Sequence, residues 1–419
     1  MSIALTVIFC IVMVLAVPVG HALIIAAGLA LLLDGTLPLN IVVQQLYQQT
    51  QSFPMLALPF FMMAGSLMLS GKLGEDLLAF TTKALQGWRG GPLSTMVVSS
   101  VVFGGCSGSA VADASALGSI IIPWQKRQGY PAALCAANNA TAAIIAILIP
   151  PSIPLILYSL VSGTSVADLF IAGILPGLLL AASLIFVCWW VAGRRGLVSR
   201  EPRATRGELG RLALRSSPAL AMPIFILAGL RFGFATPTEV AVLAVVYAAV
   251  VSTLVYRDLT WAKFRESVIG AGVATGVVML VIMGSAICGW ILTYDQVPEA
   301  VATWVANNIT SPFLILLLMN FVLLVVGMPL DLPPAILLLG PIFVPMGHAI
   351  GLDPVQLGLI MVLNLGIGLY TPPIGTTLFV STSIAGAPLG ETTKELWPFF
   401  AVSMLVLLAI TYIPALTIY

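Results

Sequence analysis

The chain has 419 residues, 60% of them hydrophobic and only 8% charged, with a formal charge of +1. Soluble domains carry roughly 25% charged residues, so an ordinary globular protein is excluded and the lipid bilayer becomes the expected surroundings, with no nucleic-acid partner. The alternating ten-residue segments of a transmembrane β-barrel are absent, which leaves an all-α polytopic membrane protein.

The first apolar run, 3–33, lacks a basic n-region and a small-residue cleavage site and is expected to be retained rather than removed. Pro18-Val19-Gly20 leaves open whether it forms one helix or two. Lys72, Lys83 and Arg89 place 71–91 on the cytoplasmic side, and Lys126-Arg127 place 124–130 there too. The chain between them must leave the cytoplasm and return. Its middle, Phe-Gly-Gly-Cys-Ser-Gly-Ser (103–109), is a poor helix and a good hairpin tip. A hairpin entering from the cytoplasm is therefore predicted over about 92–123, followed by a crossing over about 132–164 interrupted at Pro150-Pro151. A return helix follows over 168–193, with Asp168 near its start.

Seven arginines, at 194, 195, 200, 203, 206, 211 and 215, mark 193–216 as a cytoplasmic linker between two halves, 1–192 and 217–419. Thr236-Pro-Thr-Glu239 reads as a capping box with Pro at the first helical position, opening the apolar run 236–256. Arg257, Lys263 and Arg265 keep 257–266 inside, and 267–292 crosses again. No Lys or Arg then occurs before Lys394. The second half is predicted to hold a hairpin over about 312–346, entering from the periplasm with its tip near 327–334. A broken helix over about 354–385 and a final apolar run over 396–418 complete it.

The two halves share punctuation at a constant offset of 222. Gly105, Gly118, Pro123, Gly129, Pro150-Pro151 and Pro176 match Gly327, Gly340, Pro345, Gly351, Pro372-Pro373 and Pro398 without a gap. Gly and Pro fix backbone geometry, so a broken-backbone unit has been repeated. The basic loop 124–130 matches 346–352, which has no Lys or Arg, while the stretch from the 165–167 region to 175, which has none either, matches 387–397, which holds Lys394. The charges have changed sides, as an inverted repeat requires.

Irregular backbone at membrane depth must be buried in protein or line a wet cavity, so the breaks at 104–109, 150–152, 327–334 and 371–375 need a shared polar centre. Freed carbonyls suit a hard cation such as Na⁺, and freed amides suit a carboxylate. Beside the breaks stand Ser107, Ser109, Asn138, Asn139, Ser152, Asn364, Thr371, Thr376 and Thr377. Each serves either a local backbone hydrogen bond or a site. Substrate contacts are expected at Ser152, Thr376, Thr377 and Asn139. Asp331 lies mid-hairpin, far from any basic residue, and either joins a cation site, caps the helix after Pro333-Pro334 or is a protonated carboxyl. Asp113 is divided between an ion site and helix packing. The five cysteines (10, 106, 135, 188 and 288) have no CxxC spacing and read as packing residues, and His21 and His348 are isolated, so no metal cluster is expected.

The strings at these breaks resemble a known family. They are 103–119 with 121–131, Leu-Ile-Pro-Pro-Ser-Ile-Pro-Leu-Ile-Leu-Tyr (148–158), Gly327-Met328 with Asp331, and Tyr-Thr-Pro-Pro-Ile-Gly-Thr-Thr-Leu-Phe-Val (370–380). Ser52–Phe61 and 235–239 extend the likeness nearly end to end. It is similar to the large membrane subunit (DctM-like) of tripartite ATP-independent periplasmic, or TRAP, transporters. The resemblance implies an elevator with a scaffold and a moving transport domain in the bacterial inner membrane. It implies Na⁺ as coupling ion, at Ser107, Ser109, Gly327, Asp331, Gly366 and Thr371, and no nucleotide, haem or transition metal. It also implies import of organic acids such as C4-dicarboxylates or sialic acid, a separate small four-helix (DctQ-like) subunit and a periplasmic (DctP-like) binding protein. Asn138-Asn139 depart from the Ala, Ser or Thr expected there.

Rival readings are an autonomous Na⁺-coupled carboxylate carrier and an anion channel. Gly105-Cys-Ser107-Gly108 also matches the GxSG string of intramembrane serine proteases. That reading needs His21 or His348 as a base beside Ser107.

Overall fold

A computed structural model describes all residues except 36, 39, 70, 198–203, 310, 373–374 and 418–419. Among the described residues every regular element is helical. The first half runs α1 (Ser2–Val14), α2 (Val19–Asp34), α3 (Asn40–Thr50), α4 (Ala57–Leu69), α5 (Lys72–Ala84), α6 (Gly91–Ser107), α7 (Ala110–Arg127), α8 (Ala132–Ala142), α9 (Ile153–Ser162) and α10 (Val166–Arg194). The second runs α11 (Arg206–Arg231), α12 (Pro237–Val250), α13 (Trp261–Tyr294), α14 (Val297–Asn308), α15 (Pro312–Gly327), α16 (Leu332–Ala349), α17 (Pro354–Gly368), α18 (Thr376–Ala385) and α19 (Leu389–Tyr412). Among the described residues six helices are long and apolar enough to cross a membrane: α10, α11, α13, α16, α19, and α12 together with its π-helical continuation to Val255.

The open question over 3–33 resolves as two helices. The chain turns at Ala16, in the left-handed region with φ 59°, and Pro18 stands at the N-cap of α2. Proline cannot donate to the preceding turn, so the helix restarts there. Thr236 and Glu239 form the capping box read from the sequence, with Pro237 at the first position. Asp168 sits in the first turn of α10, where its backbone N–H donates to the Ser165 hydroxyl.

The 222-residue offset extends from punctuation to helices. α7 and α16 are both 18 residues long and begin at 110 and 332, each with an internal proline at the matched position, Pro123 and Pro345. Both are followed by a glycine at positive φ, Gly129 at 92° and Gly351 at 71°, a conformation in which a Cβ is strained. Pro176 and Pro398 lie inside α10 and α19. Pro372 is described, but its neighbour Pro373 lies outside the described residues, as do Arg200 and Arg203 of the linker.

The helices sort into two bodies. α6 to α10 and α15 to α19 form an inner bundle in which α7 packs on α18 and α16 packs on α9, a reciprocal exchange between repeats. Around it lies an outer layer in which α4 packs on α12 and α2 packs on α13, again a repeat-related pair. α6 and α16 carry the inner bundle against α4 and α13 of that layer. At the bundle's centre every residue of α17 from Val355 to Gly368 is buried. In lipid there is little hydrophobic drive between helices, so close packing and interhelical hydrogen bonds hold them. Asn139 of α8 donates to the Ala114 carbonyl of α7 at 2.9 Å and to the Ser381 hydroxyl of α18 at 2.8 Å. Asn364 of α17 donates to the Asn320 side chain of α15 at 2.7 Å. Such bonds contribute about 0.6–2 kcal/mol each in membranes.

Candidate functional site

The first hairpin is sharper than 103–109 suggests: α6 continues through Ser107, leaving Gly108 and Ser109 as the tip. The glycines are there for proximity. A Cβ on Gly104 would stand 2.7 Å from the Ala146 Cα, and one on Gly105 2.5 Å from the Pro223 ring. Gly108 has φ +60°, and a Cβ there would meet the Pro151 carbonyl oxygen at 2.5 Å. Its own carbonyl accepts from the Ile153 N–H at 3.4 Å. The first tip is thereby seated in the first break.

That break is wider than Pro150–Ser152. α8 tightens to a 3-10 turn over Ala143–Ile147 before the chain opens, and Ser152 then caps α9 by accepting from the Leu155 N–H at 3.4 Å. In the second half the tip is Met328–Asp331, and Gly327 lies so close to α17 that a Cβ on Gly368 would meet its backbone carbon at 2.5 Å. The second break spans 369–375, part of it outside the described residues.

Both tips face a cavity of about 500 Å³ between the inner bundle and the outer layer. Of the residues expected at a site, Ser107, Ser109 and Asp331 line it. Asp331 is the N-cap of α16, accepting from the Leu332 N–H at 3.0 Å, and so has the capping and cation-site roles both within reach. The first turns of α7 (Ala110, Val111, Ala112), α9 (Ile153, Pro154) and α16 (Leu332, Pro333) also line the cavity. Three half-helix N-termini, with their partial positive charge, thus converge on one space. No Lys, Arg or His is among its described lining residues.

The other expected residues lie outside this lining. Gly366 packs on the first break, where a Cβ would stand 2.4 Å from Ile147 Cδ1. Thr371 and Thr377 donate to the Ile367 and Leu369 carbonyls at 2.7 and 3.0 Å. The Thr376 hydroxyl is buried with no hydrogen-bond partner among the described residues. Ser152 donates to the Ile147 carbonyl, and Asn139 serves the interhelical bonds described above. Asn138 donates to the Leu93 carbonyl.

Asp113 is buried one turn behind the first tip. Its Oδ1 accepts from the Ser107 hydroxyl at 2.9 Å, while Oδ2 is buried without a hydrogen bond, Ser100 being the next hydroxyl toward it. The oxygens gathered here, from carboxylates, hydroxyls and broken-helix carbonyls, are hard donors of the kind that suit Na⁺. Ser107 is bonded to a carboxylate and to no histidine, and neither His21 nor His348 lines the cavity.

Sequence reasoning did not reach the opposite wall. It is made by Met62, Gly65 and Ser66 of α4 and by Gly270, Ala271, Ala274, Val277 and Val278 of α13. The available signal was the run of small residues at helical spacing in 270–278, concealed in a stretch read only as an apolar span. A second cavity of about 310 Å³ lies farther along the same face of α13, at Ile282, Ser285, Gly289 and Thr293, against α9 and α16.

The family model "Tripartite ATP-independent periplasmic transporter, DctM component" matches residues 6–416. A Sinorhizobium fredii protein, y4mL, is 68% identical across the whole of both chains. The C4-dicarboxylate TRAP transporter large permease protein DctM of Pseudomonas aeruginosa is 37% identical over 89% of this chain and 87% of its own. The solved YdaH transporter of Alcanivorax borkumensis, described as having an unusual topology, aligns with TM-score 0.64 at 13% identity, covering 89% of this chain and 88% of its own, a likeness of fold. The chain belongs to the TRAP transporter large-permease family, whose members are multi-pass inner-membrane transport subunits and not enzymes.

Proposed function

From that membership we propose that the chain imports an organic acid by Na⁺-driven elevator movement of its inner bundle against its outer layer. The observation that carries this reading is the single cavity where both hairpin tips, three half-helix N-termini and the half-buried Asp331 carboxylate meet. Na⁺ is cargo here. Ser107, Ser109 and Asp331 provide oxygens at the cavity, with Gly327, Gly366 and Thr371 supplying the backbone and hydroxyl oxygens behind the second tip. Ser152, Asn139, Thr376 and Thr377 shape the breaks around the substrate head. A carboxylate entering beside Asp331 meets like charge, and bound Na⁺ removes that repulsion, so ion and acid bind together. More Na⁺ than acid charge makes import electrogenic, driven by about 2.3 kcal/mol per net charge at 100 mV.

Sliding is supported by α13, whose one face lines both cavities, at Gly270–Val278 and at Ile282–Thr293. Gly289 now faces Pro341 of α16. A slide of about 12 Å, eight residues at about 1.5 Å each, brings Pro333 of the second tip to that level. The arginine-rich linker then lies in the cytoplasm, the first hairpin enters from there and the second from the periplasm. The acid is delivered by a periplasmic binding protein, and a small four-helix membrane subunit covers part of the outer layer.

Uptake into proteoliposomes holding this chain and its small subunit tests the reading. Uptake is expected to need both an inward Na⁺ gradient and the loaded binding protein. Uptake without the binding protein would make the chain an autonomous carrier, and flux indifferent to Na⁺ would make it a channel.

A further inference from the structure

We infer that the acid is a small monocarboxylate with an apolar body, rather than a dicarboxylate or a polyhydroxylated sugar acid. This rests on reading the large cavity as the substrate site. Its two walls differ in kind. The tip wall offers the Ser109 hydroxyl, the Ala110 and Val111 N–H groups at the start of α7, the Asp331 carboxylate and the partial positive charge of the other two helix starts, enough to hold one anionic head with its coupling ion, while the Ser107 hydroxyl is given to Asp113.

The facing wall is Met62 of α4 with Ala271, Ala274, Val277 and Val278 of α13, and none of these side chains donates a hydrogen bond. Ser66 is the one hydroxyl on that side among the described lining residues. Thr275, next to Ala274, is committed elsewhere: its hydroxyl lies 2.7 Å from the Ala271 carbonyl and is absent from the lining. A second carboxylate reaching this wall would find no cationic side chain, since no Lys, Arg or His is among the described lining residues. The hydroxyls of a sugar acid would lose water and gain almost no partner. A branched hydrocarbon body, by contrast, exchanges water for methyl and methylene contacts.

The test is direct binding to the full chain with its small subunit in lipid nanodiscs, which removes selection by the binding protein. The probes are 4-methylpentanoate, succinate and gluconate, each with Na⁺ and with K⁺ in its place. 4-Methylpentanoate is expected to bind at least tenfold more tightly than the other two, and only in Na⁺. A hydrophobic wall discriminates a hydroxyl by roughly ten- to hundredfold, so Val277→Thr, nearly equal in shape, should narrow the margin over gluconate. Na⁺-dependent binding of succinate or gluconate as tight as that of 4-methylpentanoate would overturn the substrate class and leave the carboxylate site standing. Absence of Na⁺-dependent binding of all three to a monodisperse preparation would overturn both.

Discussion

The two hairpins are copies of one design that place their negative charge differently. Ser109 and Asp331 occupy matched positions, 222 residues apart, and both cap the second arm of their hairpin. Ser109 does so with a hydroxyl 3.5 Å from the Ala112 N–H, and Asp331 with a carboxylate 3.0 Å from the Leu332 N–H. The first hairpin keeps its carboxylate one turn deeper, at Asp113, where the second has Ala335. The backbone role of the tip is thus retained in both copies, while the charged group moves from behind the tip to its surface. The tip seats differ as well. Gly108 is hydrogen-bonded into the first break, whereas the second tip rests on α17 through the contact of Gly327 with Gly368.

Breaking the first seat should have the largest effect. Gly108→Ala places a Cβ in the left-handed region, costing about 1–2 kcal/mol, and drives it into the Pro151 carbonyl, which is backbone and has little room to move. A loss of more than 2 kcal/mol in stability is expected, read as a lowered Tm and loss of uptake. Gly368→Ala is the matched test on the second seat and should behave similarly, since the atom met is again backbone. A tolerated alanine at either position would show that the seat is looser than its geometry.

The charge difference is sharpened by exchange. Asp331→Asn keeps an N-cap and removes a charge, so Tm should hold while apparent Na⁺ affinity falls at least tenfold. Ser109→Ala removes a long, partly exposed capping bond and should cost about 0.5 kcal/mol, with a much smaller change in Na⁺ dependence. Equal effects at the two positions would erase the distinction between the hairpins. Movement of the second tip along α13 predicts a disulfide between Gly289→Cys and Pro333→Cys that forms only as the transporter cycles. Formation in the resting protein, or none under turnover, contradicts the slide.

The smallest effect concerns the edge of the outer layer. Hydrogen bonds from Ser2 hold the Asp295 carboxyl below its usual range. A depressed carboxyl contributes above its unfolded value, roughly 3.9, and the contribution is lost as pH falls through the folded value. The Tm difference between the chain and Asp295→Asn should therefore be constant between about pH 5 and 8 and shrink only below about pH 4.

Much of the inner bundle was legible because Gly and Pro report backbone directly. Pro123 and Pro345 lie inside the matched helices α7 and α16, and Gly129 and Gly351 follow them at positive φ, so the repeat in the sequence is a repeat of backbone. The tips were drawn too wide: Gly104 and Gly105 look like helix breakers but remain helical, because they allow close approach to Ala146 and Pro223. The Ser and Thr residues beside the breaks could not be sorted by sequence. The sequence does not say whether the Thr377 hydroxyl faces the cavity or a backbone carbonyl, and here it donates across the break to the Leu369 carbonyl at the end of α17. The far wall left the least trace, since Ala271 and Ala274 differ from any packing alanine only through what faces them.

The most direct measurement of the central claim is the Na⁺ dependence of binding-protein-delivered uptake in proteoliposomes, comparing the chain with Asp331→Asn at equal Tm. A shift to at least tenfold higher Na⁺ for half-maximal uptake is predicted for the variant. An unchanged Na⁺ curve in the folded variant would remove Asp331, and with it the cavity at the hairpin tips, from the coupling site.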